Sequence, residues 1–169
     1  MKVEVFNPQS GRSCPLPDLP RGMSGHTHCH LVCLYRSCLK MSSRGSFSPA
    51  SVRLLHTRYG HLCWSLPGGG GEVMLLGGEY SPTTTEIVSA DGSSTRPSWD
   101  LQYQTRSACG VEVGDTFIVT GGWDSSNTDK AISLRYNSQG VSELLPSLTV
   151  SRLGHACASY LNSDGQTVS

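Results

Sequence analysis

Two adjacent glycines, each pair closing a short apolar run, constrain this chain more than any other feature. Gly77-Gly78 follows Val73-Met-Leu-Leu76, and Gly121-Gly122 follows Phe117-Ile-Val-Thr120, 44 residues further on. Arg58-Tyr-Gly-His61 returns as Arg152-Leu-Gly-His155 after 94 residues, with Arg106-Ser-Ala-Cys109 close to midway but lacking the histidine. A fixed spacing of about 47 residues is the mark of a repeated structural unit, and the chain holds about three and a half of them. One such unit cannot bury its own apolar face, so successive units must stack.

Inside each unit the segments are short and β-like. The Arg turn leads into a strand such as Gly110-Val-Glu-Val113, then into a tight turn: the Gly68–Gly71 run, Gly114-Asp115 or Asp164-Gly165. Glycine at such a position accepts the positive φ that tight hairpins demand. The second strand is the apolar run itself. An unbroken run, rather than an alternating one, fits a strand covered on both faces. The third strand alternates and ends in a turn, over Glu86–Gly92, Ile132–Gly140 and, near the N-terminus, Val3–Gly11; the fourth is read through Trp99–Gln104 and Leu144–Leu148. Four strands in meander order without a helical pattern describe a propeller blade.

Gly77-Gly78, Gly121-Gly122, Tyr136, Phe6 and the Arg-x-Gly-His turns together resemble the kelch-repeat β-propeller family. Leu16–Leu19 and Leu145–Leu148 (Leu-Pro-x-Leu) bring it nearest to kelch-like proteins of invertebrate chordates and cnidarians. The resemblance covers residues 58–169 and, as the outer half of a blade, residues 1–27. It departs from the family pattern where the tryptophan expected after Tyr136 is missing and where the matching aromatic is replaced near Ser89. The implied fold is all-β: an incomplete kelch-type β-propeller of about three and a half four-stranded blades. Its divisions are 1–25 as the outer half of a first blade, 26–57 as a shortened blade, 58–105 and 106–151 as full blades, and 152–169 as the truncated start of another. The middle stretch is read as shortened because eleven residues separate His26 from Cys38, with no twin glycine between. Propellers close with roughly 4–8 blades. The expectation is therefore a fragment or remnant of a longer product, self-associating through open blade faces.

Chain reversal in each hairpin places the Arg turns and the loops after Gly-Gly on one end of the stack. That predicts a partner-binding rim of Arg58, Arg106, Arg152, Tyr80 and Trp123. In kelch adaptor proteins, arginines resembling these grip acidic peptides; guanidinium groups pair bidentately with carboxylates, and aromatic side chains anchor the contact. The function expected is a non-catalytic protein-interaction module whose unidentified partner is an acidic or polar peptide. The alternatives are a domain related to propeller oxidases and a remnant without independent function. His61 and His155 are read as structural. His26, His28, Cys29, His30 and Cys33 are spaced so that alternate histidines share a strand face, but no converging third or fourth ligand is evident, and His26 and Cys29 fall near the ordinary repeat positions. No metal, cofactor or catalytic residue is assigned.

Composition enters where partners are concerned. Thirteen Lys and Arg balance thirteen Asp and Glu, and charged residues make up only 15% of the chain, so no field steers nucleic acid or anionic membranes to it. No apolar run reaches the roughly 18 residues of a membrane-spanning helix. The chain contains no Gly-x-Ser-x-Gly, Walker or His-Glu-x-x-His motif. Seven cysteines, an odd number, together with the lack of an Asn-x-Ser/Thr sequon and of an apolar leader, predict reduced, buried thiols and favour the cytoplasm.

Overall fold

The computed structural model describes residues 3–7, 12–16, 31–42, 46–68, 70–126, 128–161 and 167–168, all of them strand, turn or loop. The strands are β1 (Val3–Asn7), β2 (Arg12–Leu16), β3 (Leu31–Met41), β4 (Phe47–Arg58), β5 (Leu62–Ser65), β6 (Val73–Leu76), β7 (Thr85–Val88), β8 (Thr95–Pro97), β9 (Cys109–Val113), β10 (Thr116–Thr120), β11 (Ser133–Tyr136), β12 (Ser142–Leu145), β13 (Tyr160–Leu161) and β14 (Thr167–Val168). Every pairing is antiparallel. Two four-stranded meanders, β5-β6-β7-β8 and β9-β10-β11-β12, are accompanied by three two-stranded sheets, β1-β2, β3-β4 and β13-β14. The all-β class and the four-strand units of the repeat are thus present, and the described sheets form no closed barrel.

The hairpins follow from their turn residues. Val113 pairs with Thr116 across Gly114-Asp115, where Gly114 adopts φ 58°. At the Asp91-Gly92 turn the Asp91 carboxylate accepts hydrogen bonds from Ser89 Oγ, Ser93 N and Ser93 Oγ, which hold its pKa down to about 2. Gly68, Gly70 and Gly71 lie in the β5–β6 turn, flanked by the Ser65–Val73 pair.

The apolar runs are buried as their unbroken pattern requires. All four residues of β6 and all four of β7 are buried. Met74, Leu76, Trp64 and Ile87 face the β9–β12 sheet and pack with Phe117, Val119, Leu134 and Tyr136. Val73, Leu75 and Val88 face the other way, against Leu31, Cys33, Cys38, Val52 and Leu54 of β3 and β4. The Trp64 and Phe117 rings stack at 5.5 Å across the first of these layers. At roughly 1.5–3 kcal/mol for each fully buried large side chain, β6 alone contributes several kcal/mol of stability.

Two expectations need correction. The fourth strand begins at once after the Asp91-Gly92 and Gln139-Gly140 turns, as β8 and β12, because it must pair with the strand just completed (Val88 with Thr95, Tyr136 with Ser142). Trp99–Gln104 is instead a loop, in which Trp99 stacks on Tyr136 at 5.4 Å and donates from Nε1 to Ser138 O at 3.1 Å. The aromatic replaced near Ser89 has its position at Val88, since Phe117 pairs with Tyr136 as Val73 pairs with Val88. The cysteines, read as reduced thiols, include two disulfides: Cys33–Cys38 and Cys109–Cys157. The physical reason is proximity, with Cα atoms 4.1 and 5.8 Å apart. The first closes because β3 turns back on itself around Tyr35, which has φ 55°; five extended residues would otherwise span roughly 17 Å. The 26–57 stretch, in its described part, is this bent strand paired with the twelve-residue β4.

Candidate functional site

A ladder of left-handed residues runs across the turns that join the sheets. Gly60, Ser107 and Gly154, each 47 residues from the next, have φ of 61°, 48° and 60°. Ser107 N donates to Gly60 O at 3.0 Å, and Gly154 N donates to Ser107 O at 2.7 Å. Each Gly-Gly pair is clamped between two rungs. Gly78 N donates to Thr105 O and Glu79 N to Tyr59 O; Gly122 N donates to Arg152 O and Trp123 N to Arg106 O. A Cβ on Gly78 would lie 2.9 Å from Tyr59 O, and one on Gly122 would lie 2.8 Å from Arg106 O, so close backbone approach requires glycine there. The Arg turns and post-glycine loops do share one end of the stack.

This ladder fixes the register that the sequence left one residue off. Arg58, Thr105 and Arg152 are equivalent, as are Tyr59, Arg106 and Leu153. Arg106 therefore does not repeat Arg58.

The three arginines have three different fates. Arg58 is fully buried. Its Nε donates to Glu86 Oε1 at 2.7 Å, Nη1 to Gly77 O and Thr84 O at 2.7 and 2.9 Å, and Nη2 to Thr84 Oγ1 at 2.9 Å. Burial lowers its pKa, while Glu86 acts in the opposite direction. Arg58 is a buried tie between β4, β7 and the glycine turn and presents nothing to a partner; a guanidinium taken from water must be paired, and here each of its three nitrogens donates at least one hydrogen bond. Arg152 is exposed, and only Nε makes a described bond, to Val150 O at 3.4 Å. By its register Arg152 is the counterpart of Arg58. Arg106 sits at the seam between two units: it bridges Trp123 through the backbone, and its Nη1 donates to Glu79 Oε1 at 3.1 Å.

The aromatic side chains occupy the same end. Tyr80 is 66% exposed with φ 70°, and Tyr103 is 42% exposed. Trp123 is half-buried, and its Nε1 lies beneath the surface with no acceptor among the described residues. Beside it, a cavity of about 500 Å³ is lined by Gln102, Tyr103, Gln104, Asp124, Ser125 and Lys130, among others. Lys130 Nζ is paired with Asp124 Oδ2 at 2.6 Å. Arg106 and Lys130 thus each carry a carboxylate partner, whereas Arg152, on the same end, has none among the described residues.

The structure also gathers residues that sequence reasoning kept apart. Cys109, His155 and Cys157 bring their side-chain donor atoms within 4.8 Å of one another. The His-x-Cys spacing in Arg152-Leu-Gly-His155-Ala-Cys157 was the available signal; that Cys109 faces it depends on packing between units. His26, His28, Cys29 and His30 lie outside the described residues.

No protein-family model and no curated protein matches the chain. Among solved structures it is similar to YjhT, with a TM-score of 0.68 at 13% sequence identity over 98% of this chain and 70% of that one. At that identity the likeness is one of fold alone.

Proposed function

We propose that the chain is a segment of a kelch-type propeller and serves, without catalysis, as a peptide-recognition module through the turn face. The propeller reading is supported by two four-stranded meanders stacked in chain order and tied by the 47-residue ladder. The binding reading rests on one observation above the others. Tyr80, Tyr103 and Trp123 are gathered with Arg106 on the same end as the cavity of about 500 Å³. Amphipathic rings around polar groups are the composition that concentrates binding energy at protein interfaces. Because Arg106 and Lys130 are already paired with Glu79 and Asp124, the favoured partner is a polar peptide with isolated carboxylates rather than an acidic run. A carboxylate of the peptide would compete with Glu79 for the Arg106 fork.

Selection from a displayed random-peptide library tests this directly. The wild-type chain is expected to enrich a motif whose binding falls about tenfold or more in Tyr80→Ala and Arg106→Ala proteins of unchanged melting temperature. Failure to enrich any motif, or a motif bound equally by both variants, would remove the turn face as the site. Arg58→Ala is unsuitable for this purpose, because burial makes it a stability variant.

A further inference from the structure

We infer that Cys109, His155 and Cys157 form a thiolate–imidazole site for a zinc-class divalent cation, opened when the Cys109–Cys157 disulfide is reduced. The site lies outside the turn face proposed above and does not depend on it.

The geometry comes from the register of the units. Cys109 pairs with Thr120 as Leu62 pairs with Leu76, so it holds a position that is leucine in the preceding unit. His155 and Cys157 stand two residues apart in the next unit. Packing between units brings the three donor atoms within 4.8 Å, close to the roughly 3.5–4 Å edges of a tetrahedral Cys and His set around zinc. The imidazole is already positioned. His155 Nε2 is 2.9 Å from Thr120 Oγ1, and Nδ1 is buried with no partner among the described residues. Gly121 leaves room for the ring, since a Cβ there would come within 2.7 Å of His155 Cε1. Thr120 Oγ1 also lies 3.5 Å from Cys157 Sγ, so a hydroxyl stands beside the three donors. A cavity of about 350 Å³ borders Thr120, His155 and Cys157 and has space for a water as fourth ligand.

In the disulfide form both sulfurs are spent and the site is closed. A dithiol reductant supplies two electrons by thiol–disulfide exchange: the S–S bond breaks, Cys109 and Cys157 become thiols, and the reductant becomes a disulfide. Binding of the divalent cation then displaces one proton from each thiol, leaving two thiolates and a neutral imidazole as ligands.

Cobalt(II) and zinc(II) titrations of the full chain read this out. The protein is used as isolated, with the Cys109–Cys157 link confirmed by non-reducing peptide mapping, and after reduction by a phosphine. The phosphine becomes its oxide with oxygen from water, and the excess is removed without air before the metal is added. Reduced wild type is expected to develop thiolate-to-cobalt charge-transfer absorption that zinc abolishes; oxidised protein should not develop the portion assigned to this site. His155→Ala, which keeps the disulfide during purification, should weaken the reduced form's affinity by more than about tenfold. Cys109→Leu, which restores the residue of the preceding unit and so preserves packing, should remove one equivalent of bound cobalt. The inference is overturned if reduced wild type gives no such absorption, if oxidised protein gives the same spectrum, or if His155→Ala and Cys109→Leu titrate like wild type. Far-UV circular dichroism of each variant before titration establishes that it is folded. Were Cys109→Leu unfolded, His155→Ala alone would decide the matter.

Discussion

Replacing Arg58 by alanine should cost this protein more than any surface change, and the structure gives the size of the effect. Four described hydrogen bonds leave the guanidinium, and both it and Glu86 have fully buried side chains. Without Arg58, Glu86 stays buried with Leu55 N at 2.8 Å and Thr95 Oγ1 at 3.1 Å, and no opposing charge. Thr84 O retains the Gly77 amide at 3.0 Å, so the isolated carboxylate dominates the cost. Breaking one partner of a buried pair costs about 3–5 kcal/mol. At about 2–4 °C per kcal/mol for a chain of this size, the melting temperature should fall by roughly 6–20 °C. Arg58→Met with Glu86→Leu removes both charges and should recover most of the loss, because two apolar side chains suit the site better than one orphaned ion. Urea unfolding of wild type, Arg58→Met, Glu86→Leu and the double variant, followed by circular dichroism, completes the double-mutant cycle. A loss below about 1 kcal/mol for Arg58→Ala, or additivity of the two changes, would refute the argument that the pair forms a single buried unit.

Three further outcomes follow from the geometry. Gly122→Ala places a methyl group 2.8 Å from Arg106 O at φ 88°, so thermal melting should show a loss of about 2 kcal/mol or more. Ser107 holds a left-handed conformation, φ 48°, that glycine occupies at both neighbouring rungs; Ser107→Gly should raise stability by about 0.5 kcal/mol in urea unfolding, and a loss would show that its side chain matters more than its backbone. Tyr136 has its pKa pushed up to about 12, first by burial and then by Tyr103. The folded state holds this proton more tightly than the unfolded state, so the stabilisation is complete below pH about 10 and is lost as pH rises toward 12, by about 2–3 kcal/mol. Tyr136→Phe should flatten that part of the stability curve, measured by urea unfolding at stepped pH.

How much of this was legible beforehand depends on the kind of signal. The unbroken run Val73–Leu76 could be read as a strand covered on both faces because burial on both sides leaves no polar position to alternate. Gly114 and Gly92 announced their turns through a local need for positive φ. The fourth strands are not legible in the sequence, because β8 and β12 are short and the aromatic Trp99 lies in the loop beyond; only pairing with β7 and β11 sets their start. The arginines were misjudged for a related reason. Exposure is not written in a residue type, and a shift of one position, Arg106 against Thr105, separates a buried tie from a seam residue.

Period, strand class and turns are written in the order of the residues, since they depend on neighbours a few residues apart and on glycine's conformational freedom. Tertiary structure alone decided which side chains meet. Arg58 is removed from the surface by Glu86, 28 residues away, and Cys109 meets Cys157 across 48 residues. Such encounters are set by the register between stacked sheets; the repeated glycines mark where the backbones of successive units bond, but not which side chains that register brings face to face.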